Sequence, residues 1–171
     1  MNATTHRRGF TFLELLMSLG IMAMLAALAA PMFGSNEALQ LDITKRLLVS
    51  DLEYAQVLAI ANPETEVALI LDEDGSGWSI ATLNSPSVPL TNTSTGEPLV
   101  TILGSNAAAS ATNVQLTCNT ENNAVAFDQN GGLIDFAQSA QLYLQCDETV
   151  LVIEISPTTG SIRELFNSVL F

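Results

Sequence analysis

From Phe10 to Phe33 the chain runs through 24 residues with a single charge, Glu14. At 1.5 Å per residue such a run makes roughly 36 Å of helix, enough to cross a bilayer core with some tilt. Pro31 lacks a backbone donor and crowds the preceding turn, which predicts a kink there. Gly34-Ser35-Asn36 adds a second soft point. Helical spacing resumes over residues 34–62. Leu39, Ile43, Leu47, Tyr54 and Leu58 fall along one side, with Leu48, Leu52 and Ala55 adjacent. Glu37, Asp42, Lys45, Arg46, Asp51 and Glu53 lie mostly off that stripe and read as a solvated face. This is the pattern of an amphipathic helix whose apolar side packs on a sheet. Asn62-Pro63 ends it, because the residue before a proline avoids the α region.

After Pro63 the period changes to that of strands. Val67–Leu71 and Trp78–Leu83 flank Asp72-Glu73-Asp74-Gly75-Ser76-Gly77, two β-prone runs around a polar, glycine-rich turn, which predicts a hairpin. The same turn shares Asp72 and Asp74 with a calcium ligand string but lacks the remaining positions of an EF-hand loop. The hairpin turn is preferred and the calcium site is the alternative. Residues 84–98 are rich in Ser, Thr, Pro and Asn and read as a long surface connection. A short strand is expected over 99–103, followed by a mobile small-residue loop over 104–113. Further strands are expected at 114–118, 124–127, 141–146, 150–155 and 160–163, with turns at Asn130-Gly131-Gly132 and Thr158-Thr159-Gly160. The fold class predicted is α+β: a long N-terminal helix on antiparallel sheet in one or two layers.

Charge narrows the function. Five Lys and Arg stand against 18 Asp and Glu. Beyond residue 9 the cations are Lys45, Arg46 and Arg163, so the side-chain charge of that part is −15. Nucleic acid binding needs several cations on phosphates, and the chain has no basic stripe. The single histidine is His6, so a chain trimmed after residue 9 has no histidine for acid–base, nucleophilic or metal chemistry. No cofactor motif and no active-site constellation is present, and paired carboxylates cannot be told from a solvated acidic surface. Cys118 and Cys146 are an even pair in a domain expected outside the cytoplasm, which predicts one disulfide. Closing that loop of about 28 residues contributes roughly 3–4 kcal/mol in the chain-entropy description. Two buried free thiols are the alternative.

Arg7 and Arg8 flank the start of the apolar run, and nothing basic follows until Lys45, which places the amino terminus in the cytoplasm and the body outside. Glu14 is the anomaly. A carboxylate inside an apolar helix costs at least ~2.5–3.5 kcal/mol on insertion scales and requires a partner. A cut after Gly9 creates one, the α-amino group of Phe10, four residues upstream. The pair can form within a chain or with the Glu14 of a neighbour, and only packing that fixes its geometry makes it favourable. An ordinary secretory signal, with Ala27-Leu28-Ala29 as its cleavage site, explains neither the length of the run nor Glu14.

The stretch Arg7-Arg8-Gly9-Phe10-Thr11-Phe12-Leu13-Glu14 resembles the leader and helix start of type IV pilins and type II secretion pseudopilins. The resemblance implies Gly9 before the cleavage point, Phe10 as an N-methylated new amino terminus, Glu14 as the assembly glutamate and Pro31 as the helix-kinking proline. It implies prepilin peptidase, an inner-membrane assembly platform and other pilins or pseudopilins as partners. Gly77-Trp78, the run Phe127-Asp128-Gln129-Asn130-Gly131-Gly132, Ser156 to Gly160 and Arg163 resemble, on few positions, the minor GspH/FimT branch. The expected organisation is a cleaved leader at 1–9, a membrane and assembly helix at 10–33, its amphipathic continuation at 34–62 and a periplasmic β-rich domain at 63–171. The expected function is that of a non-enzymatic minor pseudopilin at or near the tip of a periplasmic filament. The alternatives are a minor pilin of a type IV pilus and an anchored periplasmic binding module that does not polymerise.

Overall fold

The computed structural model describes residues 11–29, 36–134 and 138–165. The chain divides into two compact units, residues 1–36 and 37–171. The first contains α1, Phe12–Ala29. Thr11 caps it: its Oγ1 accepts the Glu14 backbone N–H at 3.2 Å, and its carbonyl accepts the Leu15 N–H at 3.2 Å. Thr-x-x-Glu is the spacing of a capping box, and an acid in the first turn suits the positive end of the helix.

The second unit is built on α2, Asn36–Ala61. Its buried stripe is Leu41, Thr44, Leu48, Leu52, Ala55 and Ala59. This stripe lies one position round from the expected one. Leu39 is 58% exposed, while Leu47, Tyr54 and Leu58 are partly buried at the margin. Thr44 satisfies its buried hydroxyl by donating to the Gln40 carbonyl at 2.8 Å.

Among the described residues nine strands follow: β1 Val67–Leu71, β2 Gly77–Thr82, β3 Ser85–Pro89, β4 Val100–Ile102, β5 Val114–Cys118, β6 Ala124–Phe127, β7 Ala140–Cys146, β8 Thr149–Ile155 and β9 Ile162–Leu165. They form two antiparallel sheets. One runs β3-β2-β1-β6, with β4 also paired to β2, and the other runs β5-β7-β8-β9. The fold is α+β, and the two sheets and α2 share one apolar core. Alternation explains which residues enter it. Ala140, Leu142, Leu144 and Cys146 of β7 point inward, as do Val67, Leu69 and Leu71 of β1 beside Trp78 and Ile80 of β2.

Two loop expectations change. The connection over 84–98 contains β3, which pairs with β2 across a register break, and Thr91 bridges to Pro98. The small-residue loop over 104–113 is anchored rather than loose. It carries a 3-10 turn at Asn106–Ala108, and Ala108 and Ala111 are fully buried in the core.

Candidate functional site

α1 has the character of an element made to be covered. From Thr11 to Leu25 every described side chain is exposed, including Phe12 at 78% and Met22 at 71%. Apolar residues occupy every side of the helix rather than one stripe, the composition of a helix embedded in apolar surroundings. Glu14 is the charge among them. Eighteen residues make about 27 Å of helix, against about 30 Å for a hydrocarbon core. Among the described residues no helix is long and apolar enough to cross a membrane. The apolar run of the sequence continues to Phe33, beyond the described end of α1. Gly9, Phe10 and Pro31, the expected cleavage, methylation and kink positions, lie outside the described residues. Thr11 is a helix-capping position that the apolar pattern does not mark, although Thr-x-x-Glu before an apolar run signals it.

Residues 4–30 match the family model of the prokaryotic N-terminal methylation motif. By its amino-terminal segment the chain is type IV pilin-like. The motif is the processing and methylation signature of type IV pilins and pseudopilins, so the pilin-like segment implies prepilin peptidase processing and assembly into filaments. Comparisons with curated proteins and with solved structures return no match.

Behind the pilin-like segment, α2 is tied to both sheets by side chains that the sequence pattern does not reveal. Asp51 Oδ2 accepts the Trp78 indole N–H at 2.7 Å and the Thr101 hydroxyl at 3.0 Å. An expected surface charge is therefore a half-buried acceptor at the helix–sheet seam. Gln56 Nε2 donates to the carbonyls of Gly131 at 2.7 Å and Thr159 at 3.2 Å. The Gly131 turn is closed by Asp128, whose Oδ1 accepts the N–H groups of Asn130 and Gly132, both at 2.8 Å. The Gly160 turn presses against it. Gly160 sits at φ +61°, and a Cβ there would overlap the Gly131 carbonyl and the Gln56 amide. The two motifs noted near 127–132 and 156–160 thus meet at one node, to which the Gln56 amide of α2 is bonded.

The cysteines correct an expectation. Both are free. β5 and β7 are neighbours, but the register sets Val114 opposite Cys146 and Cys118 opposite Leu142. Four residues of offset separate the thiols by about 13 Å along the strands. A disulfide needs Cα atoms within about 7 Å. Cys118 instead lies 3.0 Å from the Thr120 hydroxyl, and burial raises the pKa of the Cys146 thiol, helped by the charges of Asp147 and Glu37.

The Asp72–Gly77 turn joins β1 to β2 as a hairpin, with Gly75 at φ +70°. Asp74 Oδ1 is engaged inside the turn, accepting the Ser76 hydroxyl at 2.6 Å and the Ser76 N–H at 3.0 Å. Those bonds hold its carboxyl below the usual range. The Asp72 carboxyl, tucked against Gly77, is raised by partial loss of water and then by the Asp74 charge. Among the described residues no third His, Cys, Asp or Glu joins them, and three acids are not gathered anywhere as a metal cluster.

Proposed function

We propose that this chain is a minor pseudopilin of a type II secretion system, a structural subunit at or near the tip of a short periplasmic filament. The observation that carries this reading is the methylation motif over residues 4–30 with Glu14 set in an otherwise apolar helix. In this reading prepilin peptidase cuts between Gly9 and Phe10 and methylates the new amine. Residues 10–33 anchor the chain in the inner membrane as a single span, with residues 63–171 in the periplasm. The two helices act as one long helix of pilin type, bent near Pro31. The Phe10 amine and the Glu14 carboxylate then pair across neighbouring subunits, so cleavage makes the helix competent to assemble. The acidic, histidine-free body supports a structural role over a catalytic one and weighs against nucleic acid as partner.

Mass spectrometry of the mature amino terminus tests the processing step: the expected start is Phe10 with one added methyl group, and a start near Ala30 would sink the reading. Glu14→Ala tests assembly. Normal cleavage with at least tenfold loss of filament incorporation is expected, whereas unchanged incorporation points to a non-polymerising module. Deleting the chain and assaying secretion beside twitching motility separates a secretion pseudopilin from a type IV pilus subunit.

A further inference from the structure

The two ends of β8 differ in cover. Ile153 and Ile155 face the core, are 1% and 0% exposed, and have Glu164 and Ile162 of β9 opposite them. By alternation Leu151 and Thr149 share that face, opposite Leu144 and Cys146 of β7. Both are only partly buried, as is Val150 between them. β9 reaches Leu165, opposite Val152. Among the described residues no strand pairs with residues 149–151 on the β9 side.

A groove of about 330 Å³ lies at this edge, with Ala38 and Leu41 of α2 and Leu151 of β8 as apolar walls. The charged residues that border it already pair with one another: the Lys45 ammonium lies 3.1 Å from both Asp42 and Glu164. What the groove offers is apolar surface and a strand edge, which suits an uncharged occupant. The sequence directly after β9, Phe166-Asn167-Ser168-Val169-Leu170-Phe171, carries no charge and four large apolar residues. These residues lie outside the described part of the chain. Carried on from Leu165, the register of β9 sets Phe166 opposite Leu151, Asn167 opposite Val150 and Ser168 opposite Thr149. Phe166 falls in phase with Ile162 and Glu164, on the face turned to α2. Three residues at about 3.3 Å each span the uncovered stretch.

We infer that residues 166–168 of this same chain continue β9 along the edge of β8 and set Phe166 into the groove, against Leu41 and Leu151. The segment acts as a latch. It closes a sheet edge that another chain could otherwise pair with, and it ties β9 to the amino-terminal turns of α2. Direct connection to β9 makes the pairing intramolecular, so this segment outcompetes the same segment of a second copy. The contact is internal to the chain and does not depend on filament assembly.

The test uses the full-length chain in detergent micelles. Benzoylphenylalanine, a photoreactive aromatic residue, replaces Phe166 in one sample and Asn167 in another. Mixing isotopically light and heavy chains tells adducts within a chain from adducts between copies. The expected result is an adduct from position 166 to Ala38, Leu41 or Leu151 of the same chain, and none to α2 from position 167. An adduct between copies, an adduct elsewhere, no adduct from position 166, or equal α2 adducts from both positions overturns the inference. Hydrogen exchange supplies a second measurement. F166D should speed exchange of the amides of residues 149–151 at least fivefold, while N167D, on the opposite face, leaves them within twofold. A rise below fivefold for F166D, or an equal rise for N167D, overturns the inference. Should F166D also speed exchange at residues 153–155, the domain as a whole has loosened and the crosslink alone decides.

Discussion

Asp51→Ala isolates the seam between α2 and the five-stranded sheet. The substitution removes the acceptor for a 2.7 Å bond from the Trp78 indole and a 3.0 Å bond from Thr101. Hydrogen bonds to a charged partner contribute about 1.5–3 kcal/mol each, and a buried donor left alone costs a further part of its desolvation. Trp78 is only 1% exposed while Asp51 is half-buried, so water reaches the vacated position in part and replaces the carboxylate incompletely. Because both bonds share one carboxylate they do not add, and the expected loss is about 3 kcal/mol, or roughly 10 °C in Tm for a domain of this size. Asp51→Asn, which keeps an acceptor, should lose about 1 kcal/mol. Trp78 is the only tryptophan of the chain, so urea unfolding read by its fluorescence reports this seam directly. A double-mutant cycle with Trp78→Phe, read by circular dichroism, should give a coupling of about 1.5–2 kcal/mol. A loss below about 0.5 kcal/mol for Asp51→Ala, or a coupling near zero, would refute the assignment.

Gly160→Ala forces a side chain into the left-handed region and onto the Gly131 carbonyl, and should destabilise by about 2–4 kcal/mol in denaturant unfolding; Gly96→Ala, at φ +74° but in open space, should cost only about 1 kcal/mol. Alkylation of the unfolded, unreduced protein followed by mass determination should label both Cys118 and Cys146, and a species two mass units lighter that resists labelling would restore the disulfide. Asp72 has a raised folded pKa, so its ionisation opposes folding above the unfolded value of 3.8. Asp72→Asn should therefore stabilise the domain at neutral pH, with the gain vanishing as the pH falls below that value, and an equal gain at both ends of a pH series of unfolding curves contradicts lost hydration of the charged carboxylate as the cause. Asp42 and Asp74 have lowered pKa values and act in the opposite sense: their stabilisation is present above 3.8 and is lost as the pH falls through their folded values.

Much of this fold was legible because its strands alternate. Val67–Leu71, Val114–Cys118 and Ala124–Phe127 coincide with the runs read from the pattern. β3 was hidden because its side chains are mostly exposed and two of its five residues are proline, so no buried face marks it. The loop that buries Ala108 and Ala111 looked loose because alanine carries little hydrophobic signal even where the core admits nothing larger. Asp51 and Gln56 look like ordinary surface residues of a helix. Their partners lie 27 and 75 residues or more away, and only the tertiary fold brings them together. The cysteine pairing failed for the same kind of reason, since register fixes which residues face each other and cannot be counted from spacing. The candidate site shows the reverse balance. The methylation motif is legible as sequence over residues 4–30, whereas the geometry begins at Thr11 and adds the cap that starts the helix at Phe12.

The ties along α2 have a mechanical consequence. Any pull on the amino-terminal segment enters the domain through residue 37 and this helix. Glu37 meets Thr149, Gln40 meets Asn113, Lys45 meets Glu164, Asp51 meets Trp78 and Thr101, and Gln56 meets Gly131 and Thr159. These attachments are spread over about five turns and reach both sheets. A force directed along the helix therefore shears them in parallel instead of peeling them one after another. The domain should move as a single body when the amino-terminal segment is drawn, and rupture should require many contacts to yield at once.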